Sequence, residues 1–285
     1  MNRNTALITG ASSGIGLELA RVMIGDGWNV VLVARRESLL EEVASQLRDQ
    51  SRGQASVHVC AMDLSEADAA RRLTEYLSKE DIFIDTLVNN AGLGDFSAFV
   101  DSDWEKNRKM IRVNIEALTE LTRLLVPPMI ARRHGRVLNV ASVAAFQPGP
   151  FMAVYYATKA YVLSFSEALA EELRGSGVTT TVLCPGPTKS EFQAGAHVAP
   201  GSAMNNRFIP SARTVARYGY RAMLRNKGIA VHGTAFKLML FVSRFLPRIL
   251  VTRMVRGFQT ARSGSHRGRG GSPGDQGDFR SARGD

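Results

Sequence analysis

The sequence predicts an α/β fold of the doubly wound kind, a parallel sheet covered by helices on both faces. Three observations carry this. Short β-branched runs alternate along the chain with longer amphipathic segments. Those runs are apolar throughout rather than at every second residue, as strands buried on both faces are. The first of them also passes through a glycine-rich turn directly into a helical pattern.

The elements run in order. TALIT (residues 5–9) passes through TGASSGIG into a helix from about Ile15. NVVLVA (29–34) precedes a helix from about Ser38, and ASVHVCAM (55–62) precedes one from about Glu66. TLVNNAG (86–92) is followed by a long helix from about Trp104 to Arg132. RVLNVAS (136–142) leads to the helix holding AVYYATKAY (153–161), and TTTVLCP (179–185) is a sixth strand. A helix from about Ala212 to Arg225 and a strand at Ile229 to His232 close a seven-stranded parallel sheet. Residues 1–235 thus form one domain, with no internal repeat. Residues 236–258 read as a basic, amphipathic helical extension. Residues 259–285 are Gly, Ser and Arg with almost nothing apolar, too little to offset the entropy of ordering, and read as a disordered tail.

Composition narrows the function classes. A chain of 285 residues with 45% hydrophobic content supplies a sizeable core. Cys60 and Cys184 lie in separate strands with neither metal-ligand spacing nor a disulfide framework, which points to a reducing compartment, the cytoplasm, and to no metal. MNRN enters the first strand with no apolar leader, so no secretory signal is expected. No run approaches the roughly 18 apolar residues of a membrane span. The net charge of +10 sits at one end, because no Asp or Glu occurs from Phe192 to Gly274. Nucleic acid is therefore not the expected partner of the domain. RGRGG in the tail resembles RNA-binding arginine-glycine segments, but a solvated tail is the expectation.

The glycine loop points to a dinucleotide. Gly10, Gly14 and Gly16 allow backbone amides, among them those of Ser12, Ser13 and Ile15, to approach a pyrophosphate held by the positive end of the next helix. The spacing departs from G-x-G-x-x-G, so its weight comes from the strand before and the helix after. An NAD site ends its second strand in Asp or Glu, whereas this one ends in Arg35 and Arg36. A guanidinium pairs with a 2′-phosphate, which favours NADP. Two solvated arginines opening a helix is the competing account, although they place positive charge at the wrong end of a helix dipole. Asp63 and Leu64, after the third strand, are placed to touch adenine by hydrogen bonding and apolar contact.

Tyr155 and Lys159 are four residues apart and share a helix face, while Tyr156 points elsewhere. With TGASSGIG, NNAG at 89–92, Ser142 and this Tyr-Lys pair in order, the chain resembles the short-chain dehydrogenase/reductase family, in its NADP-preferring subgroup, over roughly residues 3 to 235. The resemblance implies a Rossmann domain and four catalytic residues. Tyr155 would be the acid that protonates a substrate carbonyl oxygen, or the base in reverse. Lys159 would favour the phenolate and hold the nicotinamide ribose. Ser142 would orient the carbonyl, and Asn114 would bind a water that carries protons to Lys159. Ser142 merely capping the segment after its strand, and Asn114 satisfying a backbone group in its helix, are the alternatives. The resemblance also implies cofactor contacts at Asn90, Ala91 and Gly92 and at Pro185, Gly186 and Thr188, and a four-helix interface in a homodimer or homotetramer.

The expected substrate wall is Val143, Phe146, Pro148, Phe151, Met152, Phe192, Met204 and Phe208, with a lid from about Lys189 to Pro210. Such a wall suits a hydrophobic ketone, aldehyde or acyl chain. The 236–258 segment, with Lys237, Arg244 and Arg248 and a kink at Pro247, either contacts an anionic membrane surface peripherally or covers the cleft or a subunit interface. Two other functions compete with an NADP-dependent reductase: an NADPH-binding regulator without turnover, and a membrane- or RNA-associated scaffold acting through the basic C-terminus.

Overall fold

A computed structural model describes residues 3–189 and 209–263. Seven strands, β1 (Thr5–Thr9), β2 (Asn29–Ala34), β3 (Val57–Ala61), β4 (Thr86–Asn89), β5 (Gly135–Val140), β6 (Val178–Cys184) and β7 (Ile229–Val231), form one parallel sheet in the order β3-β2-β1-β4-β5-β6-β7. The order reverses between β1 and β4, so the crevice for a ligand opens at the carboxyl ends of those strands.

The helices divide between the two faces. On one lie α1 (Gly14–Gly25), α2 (Glu37–Ser51) and α7 (Ala212–Leu224), which bury Leu19, Met23, Leu40, Leu47 and Met223 against β1 and β2. Trp28 closes that layer, its indole N–H donating to the Tyr220 hydroxyl at 3.1 Å. The opposite face carries α3 (Ala69–Lys79), α4 (Trp104–Ile111), α5 (Leu118–Ala131) and α6 (Ala153–Glu172), with Leu73, Leu121 and Met129 among its buried residues. A buried polar chain binds this layer to the sheet: Asn89 donates to Thr122 (3.1 Å) and to Asn139 (2.9 Å), and Asn139 donates to Ser166 on α6 (2.9 Å). These bonds tie the helix layer to the sheet in one arrangement, although the buried Asn89 side-chain oxygen has no partner among the described residues.

Several boundaries differ from expectation. The helix expected from about Glu66 begins at Ala69, because Asp63 accepts from the Ser65 N–H and hydroxyl and holds residues 63–66 in a turn. The long helix expected from Trp104 to Arg132 is broken by a π-helical turn, Arg112–Ala117, between α4 and α5. Beyond β7, α8 (Thr234–Ser243) and α9 (Arg248–Ser263) are separate helices joined through Pro247. The second runs past residue 258, where the tail was expected to begin, because Gln259 is buried and donates to the Tyr156 hydroxyl at 3.0 Å. Residues 264–285 of the expected tail, and the greater part of the expected lid with Phe192, Met204 and Phe208, lie outside the described residues.

Candidate active site

The carboxyl ends of β1, β2, β4, β5 and β6 converge on the crevice. After β1 the chain turns at Gly10 and Gly14, both at positive φ (65° and 59°), a region a side chain adopts at a cost. Gly16 is constrained by space instead: a Cβ there would lie 2.3 Å from the Gly10 carbonyl oxygen and 2.4 Å from the Asn90 amide nitrogen. The Asn90 amide donates to the carbonyls of Thr9 (2.9 Å) and Gly10 (3.2 Å), locking the loop after β4 to the loop after β1. The Thr9 hydroxyl accepts from the N–H groups of Asn90 and Ala91, both at 3.0 Å. Helix α1 starts at Gly14 with no side-chain cap and no acidic residue in its first turn, so its positive end faces the loop uncompensated. Ser12, Ser13 and Ile15 are half-buried along it.

Arg35 and Arg36 are exposed at the end of β2. Partial burial would raise the Asp63 pKa, but the Ser65 hydrogen bonds, with Arg35 and Lys109 nearby, outweigh it and hold the carboxyl below its ordinary value. Arg35 and Asp63 therefore border one surface. Leu64, by contrast, is buried in the hydrophobic cluster on that side of the sheet, which leaves little of its side chain for the adenine contact expected of it.

Tyr155 and Lys159 are both buried on α6, at 9% and 5% exposure. The Lys159 ammonium lies 5.9 Å from the Tyr155 ring centre and donates to the Val140 carbonyl at 2.9 Å. Burial pushes the Lys159 pKa down to about 8. It pushes the Tyr155 phenol up to about 12, partly offset by a hydrogen bond with Ser142. The expected lowering of the Tyr155 pKa by Lys159 is thus reversed in the protein alone, because desolvation opposes charge on both groups. The Ser142 hydroxyl accepts from the Ala144 N–H at 3.1 Å, which is the capping alternative, and it also bonds Tyr155.

Asn114 sits in the π-helical turn and is 1% exposed. Its side-chain oxygen accepts from the Leu93 N–H (2.8 Å), and its amide donates to the Leu93 carbonyl (3.0 Å) and the Thr158 hydroxyl (3.0 Å). It satisfies the neighbouring loop rather than its own helix. A Cβ on Gly92 would lie 3.3 Å from the Lys159 nitrogen and 3.4 Å from the Asn114 oxygen, so the three meet at one point. On the far side, Thr188 is buried with its hydroxyl donating to the Gly186 carbonyl at 2.9 Å, and the Pro185 carbonyl accepts from the Val143 N–H at 3.0 Å.

Only part of the expected wall lines a cleft. Phe151 and Met152 border a narrow one beside Tyr155, with Asp95, Ser97 and Met110. Phe151, at a φ of 65°, also lines a second cleft of about 350 Å³ with Phe99, Pro150, Thr252, Arg253 and Arg256. Val143 is buried, and Phe146 turns inward against Leu118, Ala145 and Val162, because the helical turn Val143–Phe146 packs on α6. Sequence reasoning missed Thr158, the α9 arginines at the cleft, and Phe236, whose ring a Cβ on Gly186 would meet at 2.4 Å. An aromatic residue three positions after Gly233 was the one available signal for Phe236.

The glycine cradle, the positive helix end and the arginines fit a phosphorylated dinucleotide. Among the described residues no cluster of three His, Cys, Asp or Glu side chains forms a metal site, and no helix is long and apolar enough to cross a membrane.

Comparison with known proteins agrees with this geometry. The profile described as short chain dehydrogenase matches residues 4–199. A short chain dehydrogenase of Pseudocercospora fijiensis is 36% identical over 203 residues, 70% of this chain and 63% of that protein, so the match spans less than two thirds of the relative's length. Among solved structures, a short-chain dehydrogenase from Sphingobium yanoikuyae in complex with NADPH is 31% identical, with a TM-score of 0.76, covering 85% of this chain and 93% of that one. The bulky-bulky ketone specific alcohol dehydrogenase from Comamonas testosteroni is 28% identical, with a TM-score of 0.72 over 86% and 93%.

Proposed function

The chain belongs to the short chain dehydrogenase family, and on that premise we propose that it is an NADP(H)-dependent oxidoreductase interconverting a carbonyl and an alcohol on a hydrophobic ketone, aldehyde or acyl substrate. The observation that carries the reading is the meeting of the Tyr155 phenol, the Ser142 hydroxyl and the Lys159 ammonium in one buried site beside the glycine cradle.

Gly10, Ser12, Ser13, Gly14, Ile15 and Gly16 hold the pyrophosphate, and Arg35 and Arg36 take the 2′-phosphate. Asp63 borders the adenine with Leu64 packed behind it in the hydrophobic cluster, while Asn90, Ala91 and Gly92, with Pro185, Gly186 and Thr188, line the rest of the dinucleotide. The nicotinamide supplies or accepts the hydride. Tyr155, protonated at neutral pH, gives its phenolic proton to the carbonyl oxygen as that oxygen gains charge, and Ser142 donates a hydrogen bond to the same atom. Lys159, charged below about pH 8, stabilises the phenolate left behind and holds the ribose. Asn114 fixes the Leu93 backbone beside Lys159 and orders the water that returns a proton.

The Sphingobium relative's NADPH supports the cofactor, and the bulky ketone specificity of the Comamonas enzyme supports a ketone as one substrate class. Two copies associate through α5 and α6, where Tyr161 and Phe165 stack on the outer face and Tyr161 bonds Thr119. Free buried thiols at Cys60 and Cys184 suit the cytoplasm.

The test is NADPH consumption against a panel of aliphatic, aromatic and fatty-acyl carbonyls, with NADH and Tyr155→Phe alongside. Turnover that Tyr155→Phe abolishes, with NADPH binding retained, supports the reading. Tight NADPH binding with no turnover on any carbonyl shifts it to a cofactor sensor.

A further inference from the structure

Helices α8 and α9 carry an apolar surface that nothing among the described residues covers. Of the ten residues of α8 only Leu240 is buried, although the helix reads TAFKLMLFVS. Phe241 is 58% exposed, Phe245 in the connecting turn 74%, and Ile249 at the start of α9 61%. Phe241 and Phe245 stack edge to face at 5.3 Å, so the turn presents an aromatic pair rather than scattered side chains. Leu246 and Leu250 extend the same apolar knob. A soluble monomer rarely exposes so continuous a patch without an occupant.

Charge identifies that occupant. Residues 234–263 contain Lys237, Arg244, Arg248, Arg253, Arg256 and Arg262 and not one carboxylate. Arg244 and Arg248 flank the aromatic knob in the turn. Apolar side chains at the tip with guanidinium groups beside them match acyl chains beneath lipid phosphates. A run of cationic side chains with no carboxylate among them favours lipid phosphates over a protein groove. Both helices are too short to span, so the segment lies on a surface.

We propose that the α8–α9 hairpin docks this protein on an anionic bilayer, with Phe241, Phe245 and Ile249 entering the acyl layer and Arg244 and Arg248 on lipid phosphates. The docking has a consequence for access. Ile249, Arg253 and Arg256 are spaced i, i+4, i+7 and share one face of α9, and the two arginines line the cleft that Phe151 shares with the Tyr155 site. The face that meets the lipid therefore leads into the cleft, and apolar substrates reach Tyr155 from the membrane. The docking itself does not depend on the reductase reading.

The experiment is co-sedimentation of the full chain with phosphatidylglycerol-containing vesicles and with pure phosphatidylcholine vesicles, at low and high salt. Binding to the anionic vesicles alone, weakened by salt, is expected. The Phe245→Ser/Ile249→Ser variant should reduce partitioning about tenfold or more, as should Arg244→Glu/Arg248→Glu, with the circular dichroism spectrum and NADPH binding unchanged. No sedimentation with anionic vesicles, or sedimentation that both variants retain, overturns the proposal. So does conversion of a larger assembly to a smaller one by Phe245→Ser/Ile249→Ser in gel filtration without vesicle binding by the parent, which would assign the face to a second copy of the chain.

Discussion

The Lys159 ammonium donates to the Val140 carbonyl at 2.9 Å in a buried site, with no carboxylate among the groups that shift its pKa. A cation held by a neutral carbonyl is stabilised less than it was in water, and its pKa falls from 10.5 to about 8. Between those values the folded protein binds fewer protons at Lys159 than the unfolded chain does. Its contribution to stability therefore rises with pH through that window, and below about pH 8 a penalty of about 3 kcal/mol stands. Tyr155 and Cys184, both pushed up to about 12, act in the opposite sense at higher pH. The Lys159 effect is isolated by comparison with Lys159→Met: urea unfolding at about pH 7 and about pH 10 should show the wild type gaining on the variant as pH rises.

Cofactor choice should depend on Arg35. On the proposed NADP(H) reading, Arg35→Ser removes a charge-assisted contact to the 2′-phosphate, worth about 1.5–3 kcal/mol, so kcat/KM with NADPH should fall about 10- to 100-fold while that with NADH changes little. Steady-state kinetics with both cofactors checks this. Equal losses for the two would place the arginine elsewhere in the mechanism.

Two glycine substitutions should move stability in opposite directions. At Gly16 a methyl group meets the Gly10 carbonyl, which cannot rotate aside, so Gly16→Ala should lower stability by about 1–3 kcal/mol and weaken NADPH binding. Gly257 lies inside α9 with nothing within 4 Å of a Cβ, so Gly257→Ala should raise stability by about 0.5–1 kcal/mol. Thermal melts of the two variants give the signs directly.

Removal of the tail should depend on where the chain is cut. A chain ending at Ser263 keeps the hydrogen bond from Gln259 to Tyr156 and should match the full chain in Tm and turnover. Ending it before Arg248 removes the buried Val251, Val255 and Gln259, and Tm should drop. Gln259→Ala alone should cost about 1 kcal/mol. Equal melting of all of these would mean that α9 contributes nothing to the fold.

The sheet was legible because strands buried on both faces are written as unbroken apolar runs, and the glycine turn marks which strand comes first. Tyr155 and Lys159 were legible because a spacing of four fixes a shared face regardless of what surrounds it. What sequence reading misjudged were matters of environment. The Phe146 side chain turns inward through a short helical turn that no periodicity marks. The direction of the Tyr155 shift depends on how dry the site is, not on the distance to Lys159 along the helix. Gln259 read as polar tail, and only its Tyr156 partner, 103 residues away, makes it structural.

The π-helical turn at Arg112–Ala117 holds one residue more than a regular helical turn would, and Asn114 lies within it. Deleting one residue just before Asn114 would restore ordinary helical pairing, yet it would swing the side chains beyond it about 100° around the axis. Asn114 would then leave the Leu93 backbone and Thr158 unpartnered. Length in this stretch is thus constrained against gain in local regularity: insertions and deletions tolerated in the loops of this chain should be rejected here even when they improve the helix.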